Sequence, residues 1–243
     1  MILASNGIIA GRGIIPSTLS NGLVSVYKAE SNTNDSFGTN NGTAQGGLTY
    51  LTGKSGNAFN FNGSNAYVNM GDVMDVVTSS WTYSLWLNPN SLSVTQTLFG
   101  KTIAAGVRGR IFCQLDGDKI VVGFDADALN VIIVQTPILG LATGVWYNVI
   151  VQLDRSDKIK IIINGTTLTL TTTNGTNNLM PYIATNYNTN NPFRIGAFTS
   201  ADNISALQFF NGKLDEINIW NRALTPTEIT ELYNSGSGKF YPY

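Results

Sequence analysis

Apolar and polar residues alternate with a period of two in two stretches of this chain. In Trp81 to Leu87, the residues Trp81, Tyr83, Leu85 and Leu87 share one face, and Pro89 closes the run. In Val145 to Leu153, the residues Val145, Tyr147, Val149, Val151 and Leu153 do the same. A period of two marks a strand with one face on a core. Shorter runs predict further strands at Leu23–Tyr27, Thr97–Phe99, Arg110–Leu115, Lys119–Phe124 and Val131–Gln135. Asn57–Phe61 and Ala66–Met70 flank Asn62-Gly63-Ser64 and read as a hairpin. Lys158–Ile163, with Ile159, Ile161 and Ile163 inward, turns at Asn164-Gly165, and Thr166–Thr172 returns. About a dozen strands separated by turn residues predict an all-β fold, a two-sheet antiparallel sandwich. One short C-terminal helix is the exception. Thr225-Pro226-Thr227-Glu228 is a capping box with proline at the first helical position, and the helix runs through Tyr233.

Composition supports this and narrows the chemistry. Only 12% of residues are charged, and the polarity comes instead from 28 Asn with many Thr, Ser and Gly. The chain has no histidine, which removes Ser-His-Asp and Cys-His nucleophile systems, HExxH metal sites and imidazole acid-base catalysis. A net charge of −1 gives no electrostatic footprint for nucleic acid. No apolar run is long enough for membrane insertion. The lone Cys113 cannot form an internal disulfide and reads as a small buried side chain.

Two segments differ from the rest. Residues 1–20 carry Ile8, Ile9, Ile14 and Ile15, with Arg12 their one charge. They read either as an extra strand over a sheet edge or as an arm that attaches to a partner subunit. On that division residues 21–243 form the globular domain. Residues 171–192 form a long Asn/Thr loop of the kind that contacts ligands when a rigid scaffold holds it.

Several segments, in this order, carry a family resemblance. They are Asn34-Asp35-Ser36-Phe37-Gly38 with Asn40-Asn41-Gly42, Gly53 to Gly63, and Trp81-Thr-Tyr-Ser-Leu-Trp86-Leu-Asn-Pro89. Trp146 to Asp154, Lys158 to Gly165 and Asn211 to Leu224 complete the set. Together they resemble the laminin-G-like branch of the concanavalin A-like lectin/glucanase superfamily. The resemblance implies a jelly roll of two antiparallel sheets, used for binding glycans or proteins. Trp86 and Trp146 then read as core or sheet-face aromatics.

The resemblance also suggests chemistry. Glycosidases of the superfamily place paired carboxylates along a strand face, as in Glu-x-Asp-x-x-Glu. Here the corresponding run is Glu216-Ile-Asn218-Ile-Trp220-Asn221, in which amides replace two carboxylates. An amide neither takes up a proton at neutral pH nor acts as the nucleophile, so the chain is expected not to be an enzyme. Relatives often hold one calcium ion, which makes Asp35, Asn40, Asp215 and Glu216 its candidate ligands here, with no organic cofactor expected. The alternative is that Asp35 makes an Asx turn and that Asp215 or Glu216 caps a buried loop. Sugars are recognised by planar amides and aromatic faces, and Tyr182, Asn186, Tyr187 and Asn191 in the loop, with Asn218 and Trp220 on a strand, are the candidates. Simple alternation places Leu214, Glu216, Asn218 and Trp220 on one face, with Asp215, Ile217 and Ile219 on the other.

The ending Leu232 to Tyr243 resembles that of laminin-G-like domains in phage and bacterial structural proteins. The resemblance implies a non-catalytic display domain of a phage virion or similar particle. Other particle subunits would be its partners through Ile8, Ile9, Arg12, Ile14 and Ile15, and a cell-surface glycan would be its ligand. The alternative is an exported bacterial carbohydrate-binding module or lectin, secreted or at the cell surface.

Overall fold

Trp81–Pro89, the most regular alternation in the sequence, lies near the middle of a sheet, antiparallel to Tyr147–Leu153 on one side and Asn211–Trp220 on the other. From one edge this sheet runs Thr166–Thr167, Ile159–Ile163, Tyr147–Leu153, Trp81–Pro89, Asn211–Trp220, Asn57–Asn62 and Thr49–Thr52. Leu23–Tyr27 pairs with the far half of Asn211–Trp220. The second sheet runs Thr171–Asn174, Val131–Gln135, Lys119–Asp125, Ile111–Asp116, Gln96–Lys101, Phe193–Ile195, Tyr67–Asn69 and Thr43–Gln45. All the pairings are antiparallel, as the expected jelly-roll sandwich requires. These features come from a computed structural model, which describes residues 17–75, 79–101, 110–125, 131–182, 190–199 and 205–243.

The inner faces of the two sheets close one core. Val149, Val151 and Leu153 meet Ile120, Val122 and Phe124 there, and Cys113 is buried among them. At one end Tyr83 stacks on Phe99 at 4.8 Å and on Phe193 at 6.0 Å. Fully burying aliphatic and aromatic side chains of this kind contributes roughly 1.5–3 kcal/mol each, which is ample for a chain without disulfides.

A second, smaller core lies outside the first sheet. The helix Pro226–Tyr233 begins with the predicted capping box, Thr225 accepting from the Glu228 N–H and Glu228 reaching back to Thr225. Its Ile229 and Leu232 pack on Trp220, Ile150 and Ile162, joined by Leu19, Leu23 and Val26. This cover explains why all nine residues of Trp81–Pro89 are buried, the outward polar ones included. Thr82 donates to the Arg222 carbonyl at 2.7 Å, and Asn88 to that of Gly144 at 2.8 Å. Trp86 is buried on this outer side, stacked on Tyr233, whereas Trp146 is half-buried beneath the Lys213 ammonium.

The structure corrects three expectations. Asn57–Asn62 and Tyr67–Asn69 do not form a hairpin but belong to opposite sheets. The Asn62 side chain accepts from the N–H groups of Ser64, Asn65 and Ala66, and so shapes a corner instead of a return. Only Thr166–Thr167 pairs back on Ile159–Ile163, while Thr171–Asn174 crosses to the other sheet. Along Asn211–Trp220 a bulge between Asp215 and Asn218, with Glu216 at φ 46°, breaks the alternation. Leu214, Ile217 and Ile219 therefore share the main core, while Trp220 faces the second one.

Residues 17–22 are part of this body. Leu19 is fully buried, and its carbonyl accepts the Trp220 indole N–H at 2.6 Å. Thr18 donates to Glu228 at 2.6 Å, and Arg222 donates to the carbonyls of Asn21 and Thr18. Ile8, Ile9, Arg12, Ile14 and Ile15 lie outside the described residues.

Candidate functional site

The four residues expected to hold calcium do not converge on a common point with free oxygens. Asp35 Oδ1 accepts from the backbone N–H groups of Val26, Phe37 and Gly38 at 2.8–3.0 Å, and Oδ2 from that of Asn40 at 3.2 Å. The Asn40 side-chain amide donates to Ser25, and the Asn40 backbone carbonyl accepts from the Tyr27 hydroxyl. Asp215 accepts from the N–H groups of Lys54, Ser55 and Glu216 at 2.7–3.0 Å. Burial pushes its carboxyl up to about 6, with those three donors opposing the rise. Glu216 is 1% exposed, and neither of its oxygens has a hydrogen-bond partner among the described residues. Burial, and then the adjacent Asp215 charge, raises its carboxyl to about 8.

A hard cation needs six to eight converging oxygens, and N–H donors already occupy the lone pairs of Asp35 and Asp215. Among the described residues no group of three or more His, Cys, Asp or Glu side chains could hold a metal ion. The expected set does not fit calcium as a unit. Asp35 instead closes the loop after the first strand in the manner of an Asx turn and ties it back to Val26 of that strand.

The sugar-binding candidates fare no better as a surface. Trp220 is fully buried and Asn218 is 2% exposed, its amide donating to the Glu216 carbonyl. The second core is the reason, because Trp220 packs there with Ile229 and Leu232 of the helix and gives its indole N–H to the Leu19 carbonyl. Asn191 is buried as well. Tyr182 sits at the end of the short turn Met180–Tyr182, and Asn186 and Tyr187 lie outside the described residues.

On the second sheet one cluster of side chains packs on itself. Arg110 grips Asp125 through Nε at 2.9 Å and Nη2 at 3.1 Å, and its guanidinium lies 5.3 Å from the Phe112 ring. That ring rests on Gly123, where an added Cβ would come within 2.1 Å of it.

An open cleft occurs at the edge of the first sheet. Its volume is about 410 Å³, and it lies where the chain leaves Thr166–Thr167 and crosses over through Leu168–Leu170. Asp157, Lys158, Lys160, Thr167, Leu168 and Thr169 line it. Lys160 bridges Asp154 at 2.9 Å and Asp157 at 3.1 Å. Burial works against the Lys160 charge, but its bonds to those carboxylates outweigh it and raise its pKa. Asp154 moves the opposite way: burial raises it, and Ser156 and Lys160 together hold it below the usual range.

A sequence profile of the concanavalin A-like lectin/glucanases superfamily, laminin G type, matches residues 62–230. The chain belongs to this superfamily. As a laminin-G-like domain it is similar to solved structures across most of its length. Domain 4 of AbnA, an extracellular arabinanase of Geobacillus stearothermophilus solved with arabinotriose, has 21% identity and a TM-score of 0.59, covering 89% of this chain and 98% of that one. The binding domain of Paraclostridial Mosquitocidal Protein 1 has 16% identity and a TM-score of 0.68, covering 88% of this chain and 52% of that one. The binding domain of botulinum neurotoxin DC, solved with rat synaptotagmin II, has 13% identity and a TM-score of 0.65, with coverage of 88% and 52%. The laminin-G-like domain thus spans about half the length of either toxin chain. No curated protein matches it.

The edge cleft had a signal in the sequence of this laminin-G-like domain. Asp154, Arg155, Asp157, Lys158 and Lys160 put five charges into seven residues of a chain that is 12% charged. Such a cluster beside a strand marks a polar site more specifically than Asn abundance, which turns produce anyway.

Proposed function

We propose that this chain is a non-catalytic binding and display domain, a structural component of a phage virion or similar particle that binds surface glycans. The observation that carries this reading is the root formed by residues 17–22. Leu19, Thr18 and Asn21 are fastened to Trp220, Glu228 and Arg222 on the outer side of the first sheet. The described chain therefore begins beside the C-terminal helix. That helical side would face the particle, leaving the edge cleft and the second sheet to ligand.

Absence of catalysis is supported by the site itself. Glycoside hydrolysis needs two carboxyl groups flanking a sugar. Asp215 is committed to three backbone donors, Asn218 is an amide, and both are buried. The arabinanase domain bound to arabinotriose and the toxin binding domains, all of this fold, support a ligand-binding role. The whole-length match to the arabinanase domain favours a second reading, an exported bacterial carbohydrate-binding module or lectin.

Deleting residues 1–16 tests the attachment without disturbing the root. The truncated chain should keep its melting temperature and lose incorporation into the particle. Unchanged incorporation overturns the arm model, and a glycan array on the truncated chain then decides for or against the lectin reading.

A further inference from the structure

We propose that the edge cleft is a binding site for the terminal sugar of a neutral glycan. This rests on reading the chain as a glycan-binding domain and goes beyond it by naming the site and the ligand class.

The main chain at this edge is already satisfied. The Asn177 side chain accepts from the Ile159 N–H at 2.9 Å and donates to the Ile159 carbonyl at 3.0 Å, as a neighbouring strand would. The Leu168 N–H bonds to the Ile161 carbonyl. The Ile159–Ile163 strand is therefore already covered where it borders the cleft, and a ligand there meets side-chain groups.

Those groups are balanced in charge. Two carboxylates, Asp154 and Asp157, converge on the Lys160 ammonium, and the exposed Lys158 offsets the excess negative charge. Arg155 of the same segment is buried over the Phe124 ring and does not line the cleft. The cleft gives no net field that would select a polyanion or a polycation. It offers a carboxylate acceptor in Asp157, 47% exposed, ammonium donors in the two lysines, and the exposed hydroxyls of Thr167 and Thr169. Adjacent ring hydroxyls of a sugar both donate and accept, and they match such alternating partners. Among the described residues no aromatic side chain lines the cleft, while the half-buried Leu168 and Leu170 offer an aliphatic wall for the C–H face of a ring. The volume of about 410 Å³ falls within the usual range for small-ligand sites, about 300–1,000 Å³.

Lys160 is also preset. Its two carboxylate partners fix its side chain before any ligand arrives, so little rotamer freedom is lost on binding.

The test is a backbone-amide NMR titration of the full chain with arabinotriose, xylotriose, cellotriose and maltotriose, and with trigalacturonate as an acidic contrast. Each sugar is added to about 10 mM, enough to detect millimolar affinity. At least one neutral sugar should shift the amides of 157–160 and 167–170, with trigalacturonate weaker. Asp157→Asn and Thr167→Val, both at solvent-exposed positions, should each weaken binding about tenfold, or about 1.4 kcal/mol. Shifts that map elsewhere overturn the cleft assignment and leave the glycan reading standing. Stronger binding of trigalacturonate overturns the neutral class. If these amides stay silent with every sugar the proposal fails, and a silent glycan array beside it removes the broader reading too.

Discussion

The carboxylate of Glu228 joins the C-terminal helix to the root of the N-terminal segment, and Glu228→Gln isolates what its charge contributes. Arg222 approaches it through Nη1 at 2.8 Å and Nη2 at 2.7 Å, Thr18 donates at 2.6 Å, and the Thr225 N–H donates at 2.8 Å. Burial alone would raise its pKa, but the bonds from Arg222, Thr18 and Thr225 outweigh this and hold the carboxyl at about 2 instead of 4.5. The side chain is 4% exposed, so solvent screens these contacts little. A depressed carboxylate adds stability that is fully present above 4.5 and is lost as the pH falls through about 2. At about 1.4 kcal/mol per pH unit, the ceiling is about 3 kcal/mol. Urea unfolding followed by tryptophan fluorescence should show Glu228→Gln less stable by about 2–3 kcal/mol at neutral pH. The gap should close as the pH drops below 4.5. The same variant should expose residues 17–22 to proteolysis, because the uncharged amide keeps one acceptor oxygen where the carboxylate gave two to Thr18, Arg222 and Thr225. A gap below about 0.5 kcal/mol, or one that does not change with pH, would refute the clamp.

Glu216→Gln should act in the opposite sense. A carboxyl raised from 4.5 to about 8 gives the wild type its full stability below 4.5 and drains it as the pH climbs toward 8. The variant should flatten that decline and be the more stable protein above pH 8; parallel melting profiles for the two would sink the argument. Asp35→Ala removes the acceptor for four backbone N–H groups and should cost about 2–3 kcal/mol in chemical denaturation. Calcium at about 5 mM should not shift the wild-type melting temperature, and a clear upward shift would show that a cation site forms after all.

Periodicity located the strands because burying one face of a sheet demands it. Trp81–Pro89 and Tyr147–Leu153 pair along seven residues, close to where the alternation put them. The helix was legible for a local reason, since its capping box needs only Thr225, Pro226 and Glu228. What escaped the sequence depends on a single backbone torsion or on distant partners. Nothing about Glu216 as a residue type announces a φ of 46°, yet that torsion reverses the facing of Trp220. Asn62-Gly63 serves a hairpin or a corner equally well, and only the bonding of the Asn62 side chain to Ser64, Asn65 and Ala66 selects the corner. Asp35 and Asp215 look like metal ligands in one dimension because the donors that saturate them are main-chain N–H groups, which every residue has. The edge cleft was half visible, in the density of charge at 154–160.

The root at residues 17–22 has a mechanical consequence. It feeds directly into Leu23–Tyr27, which runs antiparallel to residues 217–220 within the first sheet. Tension entering at Ser17 along that strand meets the Trp220, Arg222 and Glu228 contacts and the strand's hydrogen bonds together, as a shear load. An attachment of this kind fails only when several bonds rupture at once, so a domain held by its leading segment can be pulled hard before its sheets part.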